Sequence, residues 1–357
     1  MNSTWFSRLL QQYSTPEYRV FFGVMAVVIA VLSLWTNVLM PVLVALSLAY
    51  LLEKPVQFLV SLRMNRGLAV LMMLTVMILA LVLAVLALLP VIMQQGQHLV
   101  SESPQILSRA RHYLQGLPEM IPGVITEQQI QSFIVKIESS ILAMADSMIA
   151  TSWSGVTGIA RGLVFLVLVP MMVLFMLNDK QLLLSQIIAL LPAERGILRL
   201  WWQELNGQIM GYLRGKLLEL FLVGAATYVL FVWFDLQYAL LLGVLVGCSV
   251  LIPYVGIFVV TVPVVIVAFS QFGATPATGY FLLAYCIIQA IDAYILVPLL
   301  FAEVVDLHPL YIIIAVLFFG GVLGFWGVFF AIPLASMVKA TYHALTLPAP
   351  TEAAQNS

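Results

Sequence analysis

Charge is what this sequence has least of. Only 15 of its 357 residues are Lys or Arg and 16 are Asp or Glu, 9% together, where a soluble domain carries about 25% to cover its surface. The shortage excludes an ordinary soluble domain. A formal net charge of -1 also excludes the clustered basic surface that nucleic acid requires. Cysteine is nearly as scarce. Cys248 and Cys286 sit inside apolar runs without CxxC or metal-ligand spacing, so they read as small packing residues, and no disulfide framework or thiolate metal centre is expected. Catalytic motifs are missing too: there is no HExxH, no GxSxG and no Walker loop, and His98, His112, His308 and His343 have no metal-binding spacing. Neither an enzyme nor a cofactor is expected. Without a nucleotide-binding motif, any transport must draw on an ion gradient or on another subunit.

What is there is hydrocarbon. Hydrophobic residues make up 63% of the chain and mean hydropathy is +1.08, so most of it must face lipid. A membrane span needs about 20 apolar residues, and suitable runs lie at Val20–Val38, Leu39–Leu52, Leu68–Met93, Gly155–Leu177, Leu217–Phe234 and Gly279–Leu300. The first follows a polar stretch holding Arg8 and Arg19, with no small-x-small cleavage signature after it, and reads as an uncleaved span. The second is short and is expected to extend into a turn at Gln57-Phe58-Leu59, with Glu53 and Lys54 at the membrane interface.

Two further apolar runs are broken. Tyr238–Ser270 has 33 residues, about 50 Å as one helix against a hydrocarbon core of about 30 Å. It is interrupted at Ile252-Pro253-Tyr254-Val255-Gly256, where proline removes a backbone donor and glycine tolerates a sharp turn. Leu310–Val338 is interrupted from Gly320 to Gly327, with Gly324 between them. The two runs are related by an offset of 71 residues: Asp235-Leu236 returns as Asp306-Leu307, and Tyr254-Val255-Gly256-Ile257-Phe258 as Phe325-Trp326-Gly327-Val328-Phe329. Read as a duplication, the pattern points to a transporter, because interrupted apolar segments in corresponding positions mark the binding site.

The expected fold is therefore an all-α polytopic membrane protein. If each broken run is a re-entrant hairpin there are six crossings and two hairpins; if each crosses once as a kinked helix there are eight. The length of the runs favours hairpins, and the absence of Lys or Arg from Phe301 to Pro309 favours eight crossings. Arg8, Arg19, Lys54, Arg63, Arg66, Lys180, Arg195, Arg199, Arg214, Lys216 and Lys339 all fall on one side, which places both termini in the cytoplasm. Residues 1–93 then hold the N-terminal membrane helices and 94–154 an acidic outer segment. A membrane helix covers 155–178, an interfacial stretch 179–216, a repeat-containing transport region 217–345 and a disordered tail 346–357. In the outer segment Ser103 and Pro104 are expected to start one amphipathic helix, and Thr126 with Gln129 a second that runs to Ile141; both read as packing stripes. A third, Ala193–Tyr212 with Trp201 and Trp202, is expected at the cytoplasmic interface.

Charged groups inside a membrane are costly, so each one is a candidate for function. Asp292 lies near the middle of its crossing with Gln289 one turn earlier on the same face, suited to exchanging a proton or binding a small cation or polar solute. A hydrogen-bonded structural aspartate is the alternative. Glu219 lies a turn beyond Arg214 and Lys216 and reads either as their partner or as part of an ion pathway. Arg161, about two turns into its span, either snorkels outward or pairs with Asp292. At the breaks, Pro253, Tyr254, Gly256, Gly324 and Gly327 either bend the chain or free backbone groups to line a cavity.

The second half of the chain resembles the autoinducer-2 exporter family, in its permease branch. The resemblance rests on Tyr212-Leu213-Arg214-Gly215-Lys216-Leu217-Leu218, on Tyr238 to Gly243 leading to Ile252-Pro253-Tyr254-Val255-Gly256, on Gln289 with Asp292, on Pro298 and on Leu307-His308-Pro309-Leu310. It implies a secondary transporter or exporter of small polar solutes in the bacterial inner membrane, such as autoinducer-2, or a sodium or lithium exchanger for protons. It also implies a homo-oligomer, such as a pentamer with sliding transport domains. The chain departs from the family pattern at Lys216, where Gln is usual, at Tyr294, where Asn is usual, and at Ile257, where Pro is common. A membrane scaffold or regulatory protein that transports nothing is the competing reading; it would need neither an intramembrane acid nor interrupted helices.

Overall fold

The computed structural model describes residues 36–115, 155–190, 196–301 and 307–346, with a few helical positions at 23–24 and between 128 and 139. The first expected span and most of the second outer helix lie outside the described residues. Every described element is helical: α1 (Thr36–Ser61), α2 (Arg66–Gln115), α3 (Gly155–Asn178), α4 (Lys180–Leu190), α5 (Gly196–Trp233), α6 (Ala239–Ser249), α7 (Val255–Phe272), α8 (Pro276–Ile291), a π turn (Asp292–Leu296), α9 (Val297–Phe301), α10 (Pro309–Leu323), α11 (Phe325–Phe329) and α12 (Ala331–Thr346). Among the described residues five stretches are long and apolar enough to cross a membrane: Pro41–Ser61, Arg66–Glu102, Trp201–Trp233, Val255–Phe272 and Pro276–Phe301. A sixth is added if α3 and α4, bent by 79° at their junction, count as one. Leu79, Leu81, Leu83 and Leu86 along α2 are all exposed, which in water would be a fault and in lipid is the solvated state. The chain is an integral membrane protein.

Several expected boundaries are absent because the helices run on. α1 continues through Gln57-Phe58-Leu59 as helix. α2 has 50 residues and carries Pro90 and Pro104 in its interior, so Ser103 and Pro104 do not open a new helix. A proline loses one backbone bond there but does not end a helix whose other bonds persist. The expected interfacial helix and fifth span are likewise one helix, the 38-residue α5. Cys248 and Cys286, expected to pack inside, are both free and exposed.

The described chain divides into two compact units, one of residues 1–76, 165–215 and 301–357, the other of residues 77–164 and 216–300. In the first unit the Glu53 carboxylate, expected at the membrane interface, is buried in protein. It accepts from Lys180 Nζ at 2.8 Å and Gln57 Nε2 at 2.8 Å, with Arg66 Nη2 at 3.4 Å. Arg66 also donates to the Leu177 carbonyl at 2.7 Å, a helix-end acceptor left without an intrahelical partner. The same unit holds an apolar cavity of about 130 Å³ between α1, α5 and the segment from Leu323 to Met337.

In the second unit α6 folds back on α7. The ends of this helical hairpin are tied by Gln271, which donates to the Asp235 carbonyl at 2.7 Å and accepts from the Gln237 N–H at 2.7 Å. Asp235 and Tyr238 take positive φ at this junction. Leu242, Val246, Val264, Val267, Phe281 and Tyr285 fill the interior with Val223 and Phe231 of α5. Phe281 meets Phe231, Phe234 and Phe272 at ring separations of 5.5 to 5.9 Å. α6 approaches α5 closely because Gly247 faces Gly224 and Gly243 faces Tyr228, each without room for a further carbon, the small-residue contact typical of membrane helices. The C-terminal half of α2 braces the hairpin: Gln95 accepts from the Leu241 N–H at 2.9 Å and Tyr238 Oη donates to Glu102 at 2.6 Å. Burial, with the Glu102 carboxylate beside it, pushes the Tyr238 hydroxyl well above its ordinary range.

Candidate functional site

Four groups of the second unit come together around the break in its hairpin. On α5, Lys216, Glu219, Val223, Thr227 and Phe231 are all buried; their spacing of three and four residues keeps them on one helical face, so a polar stripe runs into an apolar interior. Lys216 Nζ donates to Glu219 Oε2 at 2.8 Å and to the Val250 carbonyl at 2.8 Å. Val250 caps the end of α6, where the last carbonyls of a helix lack intrahelical donors. Lys216, expected at the end of the interfacial stretch, lies within the continuous helical stretch Trp201–Trp233 and is buried in protein. Glu219 does pair with it, as one of its two sequence readings required, and the pair is buried in protein.

The break itself contains Leu251 to Tyr254. Tyr254 has φ 61°, a left-handed conformation uncommon for a residue with a side chain. The Val255 N–H reaches back to the Pro253 carbonyl at 2.7 Å. Gly256 packs onto the Ser249 carbonyl so closely that a Cβ would coincide with it. These contacts hold α6 and α7 together at their bend and leave the Val250 carbonyl to Lys216.

Asp292 opens the π turn. The Val297 N–H bonds the Asp292 carbonyl, a widened turn explained by Pro298, which has no N–H and whose ring would strike the carbonyl of Tyr294 in a regular helix. Such π turns inside α-helices gather at functional sites. Asp292 and Gln289 are half-buried, yet Asp292 Oδ1 and Gln289 Nε2 are fully enclosed with no hydrogen-bond partner among the described residues. Buried side-chain polar atoms are nearly always satisfied, so these two are the candidate contacts for a polar solute or ion. Asp292 lies within electrostatic reach of both Lys216 and Glu219, and Thr227 Oγ1, fully buried, is likewise without a partner.

The structure thus brings Asp292, Gln289 and Glu219 into one unit with Pro253, Tyr254 and Gly256, and adds Lys216, Thr227 and the Val250 carbonyl, which the sequence reading did not assign. The spacing of residues 216, 219, 223 and 227 was visible in the sequence, but the apolar residues around them masked which face turned inward. Gly324 and Gly327 belong to the first unit. Gly324 takes φ 62° between α10 and α11, and Gly327 packs onto the Phe319 carbonyl as Gly256 does onto that of Ser249. Tyr212 donates to the Phe329 carbonyl at 2.7 Å, so this break too has a freed carbonyl satisfied by a side chain. Arg161 lies on α3, and its side chain is outside the described residues. No group of three or more His, Cys, Asp or Glu side chains able to hold a metal occurs among the described residues.

A family model described as "AI-2E family transporter" matches residues 22–347. The chain belongs to the AI-2E transporter family. Among its relatives in this family, "Putative permease PerM" of Escherichia coli K12 is 43% identical over 340 residues, 95% of this chain and 96% of the relative. "Putative transport protein YueF" of Bacillus subtilis is 28% identical over 308 residues, covering 85% and 82%. "AI-2 transport protein TqsA" of Escherichia coli K12 is 24% identical over 330 residues, 90% of each chain. AI-2E family membership and the spanning-length helices together make this a membrane transport protein.

Proposed function

We propose that the chain is a gradient-driven permease that exports a small polar solute, of the class to which autoinducer-2 belongs, through a site formed by Asp292, Gln289, Lys216, Glu219 and the hairpin break at Pro253–Gly256. The observation that carries this reading is the enclosed, unpartnered pair Asp292 Oδ1 and Gln289 Nε2 at a π turn in an apolar helix. A carboxylate and an amide left unsatisfied among hydrocarbon are costly unless a solute, water or ion visits them. The carboxylate suits a proton or small cation; the amide suits a hydroxyl or carbonyl of the solute. The name of the E. coli relative, an AI-2 transport protein, favours a small oxygenated solute over an apolar one. Exchange of a cation for protons is the second form of the same chemistry.

In this reading the protein sits in the bacterial inner membrane as a homo-oligomer with both termini in the cytoplasm, and each broken run is a re-entrant hairpin, giving six crossings. The tie between Gln271 and the Asp235–Gln237 backbone supports the hairpin, since it holds both ends of the α6–α7 pair at one level. Thr275 lies in the exposed turn after α7. With Cys248 and Cys286 replaced by Ser, a single cysteine at Thr275 is expected to react with an impermeant maleimide added from outside the cell; reaction only from the cytoplasmic face would rule out the hairpin and favour eight crossings.

Purified protein in proteoliposomes is expected to move autoinducer-2 or a comparable polar solute faster when a proton gradient is imposed than without one. Intact oligomers that move no tested solute under either condition would favour the scaffold reading instead.

A further inference from the structure

The geometry points to Lys216 as a built-in counter-ion: its ammonium occupies the place where a sodium-coupled carrier would hold its cation, and the ion left for the site to exchange is a proton. The inference rests on the reading of this site as the transport site and names its coupling ion. In secondary transporters carbonyls freed where a helix is unwound or ends coordinate the sodium ion, and a carboxylate is a second oxygen ligand suited to a hard cation. Here those two ligand types are the Glu219 carboxylate and the Val250 carbonyl at the end of α6, and both already hold Lys216 Nζ at 2.8 Å. The Lys216 and Glu219 side chains are 8% and 4% exposed, so the pair is sealed in protein. An ammonium tethered to α5 cannot leave with the solute.

The charge count then decides what remains. Lys216 neutralises Glu219, and Asp292 has, among the described residues, no ion pair and no hydrogen bond to its enclosed oxygen. Among the described residues, the charged groups within electrostatic reach of Asp292 are Lys216 and Glu219. α7, packed against α8, carries no titratable residue and α6 carries only the exposed Cys248. On its own helix, Tyr285 is paired with Thr261 Oγ1 at 3.1 Å, and Cys286 and Tyr294 are exposed. A lone carboxylate of this kind is able to gain and lose a proton as the site changes sides.

Removing the ammonium leaves Glu219 and the Val250 carbonyl as an empty cation cradle, and a buried carboxylate without a partner is strongly destabilising. The full-length Lys216→Gln protein in detergent is therefore expected to gain a sodium-dependent rise in its thermal unfolding midpoint, about 3 °C or more in NaCl relative to choline chloride. Wild type and Lys216→Arg are expected to be indifferent to the exchange of salts. A folded Lys216→Gln protein with no sodium response overturns the inference, as does a wild-type protein that shows the response.

If Lys216→Gln does not fold, wild type decides alone. Sodium-independent unfolding supports the inference, and a midpoint that rises with sodium overturns it. Flux in proteoliposomes gives a separate reading: a tenfold fall when sodium is replaced by choline also overturns it, and unchanged flux supports it. Because the unfolding midpoint does not depend on transport, a failure to see any flux counts against the transporter reading and leaves the Lys216 inference to the thermal measurement.

Discussion

Asp292→Asn is expected to bring solute flux in proteoliposomes down to that of empty vesicles, while the protein still elutes at the wild-type position and unfolds at or above the wild-type temperature. The two halves of this expectation have one cause. The substitution preserves volume and hydrogen-bonding capacity but removes a carboxylate whose Oδ1 is enclosed without a partner, so the desolvation cost of a charge is relieved and the folded state does not suffer. Proton exchange is lost, because an amide does not titrate. A structural aspartate would behave in the opposite way, with lowered stability and retained flux. Asp292→Glu, which keeps the acid but lengthens it by a methylene beside the π turn, is expected to retain part of the activity. Wild-type flux in Asp292→Asn would remove Asp292 from the pathway.

Gly256→Ala should be the most damaging small substitution in the second unit. Its Cβ would coincide with the Ser249 carbonyl, a backbone atom that cannot rotate away, so α6 and α7 would have to part at the break that positions the Val250 carbonyl. Overpacking of this kind costs about 3 kcal/mol at its upper range, read as a fall of several degrees in the unfolding midpoint together with lost flux. Gly279→Ala provides the contrast. Nothing lies within 4 Å of a Cβ there, and alanine favours a helix over glycine by about 1 kcal/mol, so its stability should be unchanged or improved. Equal effects at the two positions would mean that the break tolerates a side chain and that its tight packing is not what holds the site.

Membrane residence, helical content and the position of Asp292 within an apolar helix were legible because they follow from composition and local pattern. Runs of apolar residues at spanning length need no tertiary information, and a single acid within Cys286–Tyr294 is conspicuous against hydrocarbon. The interruptions at Pro253–Gly256 and Gly324 were legible for the same reason, since proline and glycine act on the backbone where they stand. Helix ends were less so. Pro104 looked like the first residue of a new helix but sits inside α2, because in a long helix a missing bond at one proline is outweighed by the bonds on either side.

By itself the sequence determined the solvent of this protein, its helical character and the breaks at Pro253–Gly256 and Gly324, all of which depend on residues near one another along the chain. Only the tertiary structure decided that Lys216 faces inward beside Glu219, that the Val250 carbonyl is its second acceptor, that Asp292 opens a π turn with one oxygen unsatisfied, and that Gln271 ties the ends of the hairpin. In a chain that is apolar on nearly every side, hydrophobic periodicity no longer distinguishes the face turned to lipid from the face turned to protein. Which few polar groups meet is then set by packing between helices far apart in sequence. The shortage of charge with which the sequence begins is what makes each of those meetings consequential, since a lysine and two acids placed among hydrocarbon must answer to one another or to something that passes between them.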